Sequence, residues 1–211
     1  MRFRVTSYTF AALLLPLVMG CGQDPSSTEK GYVFKSASSP VQVDTAVLRR
    51  QKARAGIAPC PTFAAQRPAV EGGLPRATLP CLGGGPSVDL ASIRGTPAVI
   101  NLWAQSCAPC RHESPIIERF HEQAGDAVRV LGIDFQDSLP GKAIAFAAAY
   151  HLTYPQLADP DAALKGPMRV AGLPLTVFVK SDGRVAHTEY GPIRSLTELQ
   201  SLVRKYLGVR T

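Results

Sequence analysis

The chain has 211 residues, 45% of them hydrophobic and 18% charged, with a formal charge of +7. That length holds one ordinary domain with an appendage, and the composition is that of a soluble globular protein. The positive excess comes without a basic patch interleaved with aromatics, which excludes a nucleic-acid footprint and leaves a mild attraction to anionic surfaces.

Arg2 and Arg4 precede a short apolar stretch, "VTSYTFAALLLPLVMG", interrupted by Pro16. It falls short of the roughly 18 unbroken apolar residues of a spanning helix and has the pattern of a secretory signal, assigned to residues 1–20. The stretch closes on Val18, Met19, Gly20 and Cys21, which resembles a bacterial lipobox, with cleavage before Cys21 and lipid attached to it. Met at the second place is not the commonest choice. An ordinary signal peptide with a spare cysteine, or an uncleaved anchor, are the alternatives. Residues 21–56 are expected to form a flexible tether, because 22–43 are rich in Ser, Gly and Pro and lack helical periodicity. Inside it, "VDTAVLRRQKARAG" (43–56) has the makings of a short basic helix ending at Gly56. A solvated face is expected for its Arg49, Arg50, Lys52 and Arg54, with lipid headgroups as the alternative contact.

Residues 57–211 form the expected folded domain. "ATLPCLGGGPSVDLASIRG" reads as two short strands around a glycine turn, followed by a helical turn. "AVINLWA" (98–104) is a continuous apolar run suited to a strand buried on both faces. A helix follows, with Ile116, Ile117 and Phe120 on one face and Gly125 as its stop, and "VRVLGIDF" (128–135) is a second buried strand. "AIAFAAAYHL" (143–152) predicts a helix, "YPQLAD" a short strand or loop, and Asp159 to Leu164 a small helix ended by Gly166-Pro167. "LTVFV" and "RVAHTEY", joined by Ser181-Asp182-Gly183, predict a hairpin. "SLTELQSLVRKYLG" predicts an amphipathic helix, capped by Ser195 with Glu198 and ended by Gly208. The order of elements implies an α/β fold, a sheet with helices on both faces.

If Cys21 carries lipid, Cys60, Cys81, Cys107 and Cys110 remain. An even number in an exported chain favours disulfides in an oxidising compartment. Cys107 and Cys110 form a C-x-x-C pair after a buried strand and at the start of a helix, which is the redox arrangement. The unpaired N–H groups and the dipole at a helix start stabilise a thiolate, the nucleophilic form of cysteine. Cys107 is therefore expected to attack and Cys110 to resolve the mixed disulfide. Zinc is the first competing reading, but it needs two more ligands: Cys60 and Cys81 make no second clasp, and His112 does not complete one. An inert structural disulfide is the second. No metal and no cofactor are expected. Cys60 and Cys81 flank the entry to the domain, where a structural disulfide would tie the N-terminal extension to the first hairpin; a second relay pair is the alternative.

From about 77 to 207 the chain resembles the thioredoxin superfamily, in particular the TlpA/ResA-type extracytoplasmic thiol–disulfide oxidoreductases. The likeness rests on "NLWAQSCAPCRHESP", "VLGIDFQD", "HLTYPQLADPDAAL", "RVAGLPLTVFVKSDGRV" and the last helix. It implies a thioredoxin fold, with a central mixed β-sheet, helices on both faces and an N-terminal β-hairpin extension. Asn101 and Trp103 match the asparagine and tryptophan that precede the cysteines in this branch, and Pro115 matches the family's helix proline. Pro174 matches the cis-proline that faces the disulfide, where the backbone of Leu173 would be free to pair with an extended substrate. Glu113 matches a glutamate of the branch, with proton transfer or helix-terminal charge as its role. Ala108 and Pro109 tune the thiolate. Ser106 departs from the pattern, since many relatives carry a second tryptophan there, and that leaves partner choice open.

The resemblance implies a lipid-anchored enzyme on the extracytoplasmic side of the bacterial cell membrane that reduces protein disulfides. Its electrons would come from a membrane thiol carrier, and its clients would be apocytochrome c or other exported proteins with cysteines. A disulfide-forming oxidase is the runner-up, and a non-catalytic peptide-binding module is the reading from a different class. A monomer with no nucleic-acid partner is expected.

Overall fold

The computed structural model describes residues 40–63 and 68–211. The signal peptide, Cys21 and the first part of the tether lie outside the described residues. In chain order the elements are α1 (Ala46–Ala55), β1 (Thr78–Leu79), β2 (Val88–Asp89), a 3-10 turn (Leu90–Ser92), β3 (Ala98–Trp103) and α2 (Ala108–Ala124). They continue with β4 (Arg129–Phe135), α3 (Pro140–Ala149), β5 (Gln156–Asp159), β6 (Leu175–Val179), β7 (Val185–Tyr190) and α4 (Leu196–Leu207).

All six residues of β3 are buried, as expected of a central strand with both faces covered. The sheet order is β5-β4-β3-β6-β7. β3 runs parallel to β4 and antiparallel to β6, so the sheet is mixed. Alternation along β3 sends Val99 and Trp103 into one core and Ala98, Ile100 and Leu102 into the other. The first core packs against residues of α1 to α4, including Leu48, Phe120, Phe146 and Leu199. The second packs against the short antiparallel β1–β2 hairpin and Leu90 of the 3-10 turn. This is a thioredoxin-like fold, a mixed sheet with helical elements on both sides and a small N-terminal hairpin.

The last part of the segment 21–56, expected as a flexible tether, is instead packed on the domain. Thr45 caps α1 through the Leu48 N–H at 3.2 Å, and Gly56 ends it in the left-handed region that glycine tolerates. α1 lies against α3, burying Leu48 and Lys52. Arg49, Arg50 and Arg54 are exposed, but Lys52 is only 7% exposed and does not belong to a solvated face. The helix expected at 159–164 is instead a run of turns. The Asp159 carboxylate accepts the N–H groups of Ala163 and Leu164 at 2.7 and 3.0 Å, and Ala162 stands at φ 54°, which no helix continues through.

Cys60 and Cys81 are joined, with Cα atoms 5.9 Å apart. Their sequence separation of 21 closes a loop whose entropy is worth about 3 kcal/mol in the chain-entropy model.

α4 opens on Ser195, whose Oγ accepts the Glu198 N–H at 3.1 Å, while Glu198 Oε2 accepts the Arg194 N–H at 2.8 Å. The reciprocal contact therefore reaches one residue further back than an ideal capping box. Ser195→Ala is expected to lower unfolding free energy by about 1 kcal/mol in a denaturant titration, since one helix-start N–H loses its acceptor.

Candidate active site

The C-x-x-C lies where β3 gives way to α2. Cys107 is the N-cap residue of α2, in extended conformation, and its Sγ accepts the Cys110 N–H at 3.2 Å. A sulfur at this position meets the positive end of the helix dipole and an otherwise unpaired N–H, and both favour negative charge. Pro109 occupies the first turn, where the missing N–H costs nothing. Cys107 and Cys110 form a disulfide with Cα atoms 5.3 Å apart. Cys107 is half-buried, whereas Cys110 is 1% exposed. Only one of the two sulfurs is open to a macromolecular partner.

Behind the disulfide stands a buried polar group. Glu113 is 1% exposed. Its Oε2 accepts from Asn101 Nδ2 at 2.9 Å and its Oε1 from the Ile193 N–H at 2.9 Å. Asn101 Nδ2 also donates to Thr176 Oγ1 at 3.0 Å, so the carboxyl is tied to β3, β6 and the loop before α4. Burial pushes the Glu113 pKa up to about 7, against the lowering effect of the Ile193 and Asn101 hydrogen bonds. Pro115 interrupts the helix ladder one turn later, where the Ser114 hydroxyl donates to the Cys110 carbonyl at 2.8 Å.

Trp103 is fully buried beneath the turn. Its Nε1 donates to Gln156 Oε1 at 3.0 Å and its ring stacks on Phe146 at 4.7 Å. Gln156 fits because Gly132 on the neighbouring strand has no side chain; a Cβ there would lie 1.8 Å from Gln156 Oε1. The peptide bond Leu173–Pro174 is cis.

Two concavities flank the cysteine pair. One, of about 250 Å³, is lined by Ala104, Ser106, Phe135, Gln136 and Leu173 among others. The other, of about 450 Å³, is lined by Ala108, Pro109, His112, Ile116, Ile193 and Arg194 among others. The small Ser106 side chain helps to leave the first of them open.

Sequence reasoning missed Gln156, Phe146 and an acid pair near the turn. Asp134 is 1% exposed and sits opposite Trp103 in the sheet register. Burial, then the charge of Asp137, pushes its pKa up to about 9. Asp137 in turn accepts the Gln105 N–H at 3.4 Å and the Leu139 N–H at 2.8 Å, linking the turn before Cys107 to the start of α3. The "GIDFQD" stretch contained the signal, a carboxylate inside an apolar strand, which is rarely buried without a reason. Among the described residues, no group of three or more His, Cys, Asp or Glu gathers as a metal site, and no helix is long and apolar enough to cross a membrane.

A thioredoxin-like sheet carrying a disulfide at the N-cap of its central helix defines the class as thiol–disulfide exchange proteins. Residues 68–203 match the Redoxin family, well over half of the chain, and the chain belongs to that family. It is 30% identical over 133 residues to the thiol:disulfide interchange protein DsbE of Pseudomonas fluorescens biotype C, covering 63% of this chain and 72% of that one. It is 26% identical over 111 residues to the thiol-disulfide oxidoreductase ResA of Oceanobacillus iheyensis, covering 51% of this chain and 56% of that one. Among solved structures it is similar to MTB DsbF, in mixed oxidised and reduced forms, at 26% identity and a TM-score of 0.56, covering 63% of this chain and 98% of that one. The chain is a thiol–disulfide oxidoreductase of the DsbE/ResA type.

Proposed function

We propose that the protein is a lipid-anchored, extracytoplasmic reductant of protein disulfides in which Cys107 attacks and Cys110 resolves. The observation that carries the two roles is the asymmetry of the pair, a half-buried Cys107 at a helix N-cap and a buried Cys110 behind it, while the anchor and the reductive direction rest on the lipobox-like "VMGC" and on the resemblance to ResA-type enzymes. In the reduced enzyme the Cys107 thiolate attacks one sulfur of a client disulfide. A bond forms between the two sulfurs and the client's other sulfur leaves as a thiolate. Cys110 then loses its proton, with Glu113 as the acceptor, and attacks Cys107 Sγ. The second client thiolate leaves and the Cys107–Cys110 disulfide remains, so two electrons have passed to the client. Leu173 and Pro174 hold the extended client segment beside Ser106, while Asn101 and Trp103 fix the acid and the turn.

A dithiol carrier in the membrane would return the electrons, and exported proteins with cysteines, apocytochrome c among them, would be the clients. Residues 1–20 direct export and Cys21 carries the lipid, with the segment after it as the tether. The opposite direction of flow, disulfide formation, uses the same two sulfurs.

The test is the equilibrium of Cys107–Cys110 with dithiothreitol and glutathione buffers, together with insulin reduction. A couple more reducing than glutathione with rapid insulin reduction supports a reductant. A couple more oxidising than glutathione overturns that direction, and no exchange at all from a folded protein leaves the binding module. Cys21→Ala is expected to move the protein from the membrane to the soluble fraction or to leave it unprocessed. Normal processing and membrane fractionation of that variant would refute the anchor.

A further inference from the structure

Lys52 has a buried ammonium whose partners do not match its charge. Its Nζ lies 2.9 Å from Cys81 Sγ and 2.9 Å from the Gly84 carbonyl oxygen. A disulfide sulfur is a weak acceptor and a carbonyl is neutral, so neither offsets the desolvation of a cation. The nearby carboxylate, Asp44, is half-exposed and bound to Arg49 Nε at 2.6 Å. At the other end of the same disulfide, Cys60 Sγ lies 3.3 Å from the Gln156 carbonyl oxygen. In the oxidised state that sulfur has no hydrogen to donate. Both contacts acquire their full value only when the bond is broken: a Cys81 thiolate pairs with the ammonium, and a Cys60 thiol donates to the Gln156 carbonyl.

We infer that Cys60–Cys81 is a second redox-active site, separate from the C-x-x-C pair, whose reduced form is held by Lys52 and the Gln156 carbonyl. Its co-reactant is a dithiol. One sulfur of the dithiol, having lost its proton to solvent, attacks Cys60 Sγ, since Cys60 is the less buried cysteine of the pair, 4% exposed against 1% for Cys81. The Cys60–Cys81 bond breaks, and its electron pair stays on Cys81 Sγ beside Lys52 Nζ. The dithiol's second sulfur loses its proton and attacks the dithiol sulfur bound to Cys60. Cys60 leaves with the electron pair and takes up a proton. The dithiol has become a disulfide, the site has gained two electrons and one proton, and one proton has gone to solvent. Burial lowers the Lys52 pKa in the oxidised state, and the new thiolate reverses that pressure.

The switch acts on the attachment of α1. Cys60 lies shortly after that helix, and the disulfide ties this part of the chain to the strand region at Cys81, which bridges to Leu157 on β5. Reduction would release the covalent tie while leaving the packing of Leu48 on the core.

The full chain is equilibrated in dithiothreitol buffers of graded ratio, quenched in acid and alkylated, and each cysteine peptide is quantified by mass spectrometry. Circular dichroism on the same samples reports folding. Cys60 and Cys81 are expected to be reduced together, as a two-electron couple, in protein that is still folded. Lys52→Met, which replaces a buried cation with an apolar chain of similar length, should lower the equilibrium constant for reduction of this pair about tenfold, because a Cys81 thiolate loses its counter-charge. Lys52→Gln gives the same readout should Met prevent folding. Cys107 and Cys110, read from the same samples, should be unchanged, so the two sites are judged separately. A Cys60–Cys81 bond that persists until the protein unfolds overturns the inference. So does a folded Lys52 variant with the parent's equilibrium constant.

Discussion

Cys110→Ser is expected to abolish turnover and to accumulate a covalent adduct between Cys107 and its client. Cys107 stays at the N-cap of α2, so the serine variant still has an attacking thiolate. Its Sγ keeps the N–H of residue 110 as donor, because that contact is to the backbone. What is lost is the buried second sulfur, and a serine hydroxyl does not displace a thiolate from a disulfide at neutral pH. Reduced Cys110→Ser protein mixed with oxidised insulin should give a mass equal to the sum of enzyme and one client chain, removable by dithiothreitol. Captured from cell envelopes, the same variant should carry thiol-sensitive bands that are absent from a Cys107→Ser control. A cytochrome precursor or a membrane thiol carrier among them favours the reductant. Many unrelated exported proteins favour an oxidase. A folded variant with Cys107 free and no adduct would remove the catalytic reading.

The frame of the fold was legible because it rests on short-range patterns. β3 and β4 are apolar runs of strand length, α4 is amphipathic with a capping serine and a closing glycine, and the β6–β7 hairpin has its turn residues in place. The position of the cysteines at a strand-to-helix junction was legible for the same reason. The parts that were not legible depend on partners distant in sequence. Gln156 meets Trp103 across 53 residues, and Ile193 reaches Glu113 across 80. Lys52 read as a surface residue because lysine is rarely buried, and its burial follows from α1 packing on α3 and from a sulfur 29 residues away. The stretch from Asp159 to Leu164 read as a small helix because the Asp159 side chain competes for backbone N–H groups in a way that composition does not reveal.

Glu113→Gln is expected to slow the resolving step about a hundredfold at neutral pH and to remove one limb of its pH dependence. General base catalysis by a positioned side chain contributes about 10²–10⁴-fold, and a pKa of about 7 suits proton transfer near neutral pH. In the parent, the resolving rate should rise with pH up to about 7, as the Glu113 carboxyl ionises and becomes able to accept the Cys110 proton. Glutamine keeps the size of the side chain but takes no proton, so the variant should lack that rise and show only the ionisation of the thiols. Stability changes in the opposite sense. The folded pKa is raised above the usual 4.5, so between 4.5 and about 7 the folded chain holds a proton that the unfolded chain has released. Stability from this group is therefore lost as pH rises through that window, and the glutamine variant should be less sensitive to pH there. Stopped-flow resolution of a preformed mixed disulfide, with thermal melts at pH 5 and pH 8, reads both effects. A purely structural Glu113 would change the melts and leave the shape of the rate profile as in the parent. That result would reassign Glu113 from moving the proton to holding Asn101 and the loop at Ile193 in place.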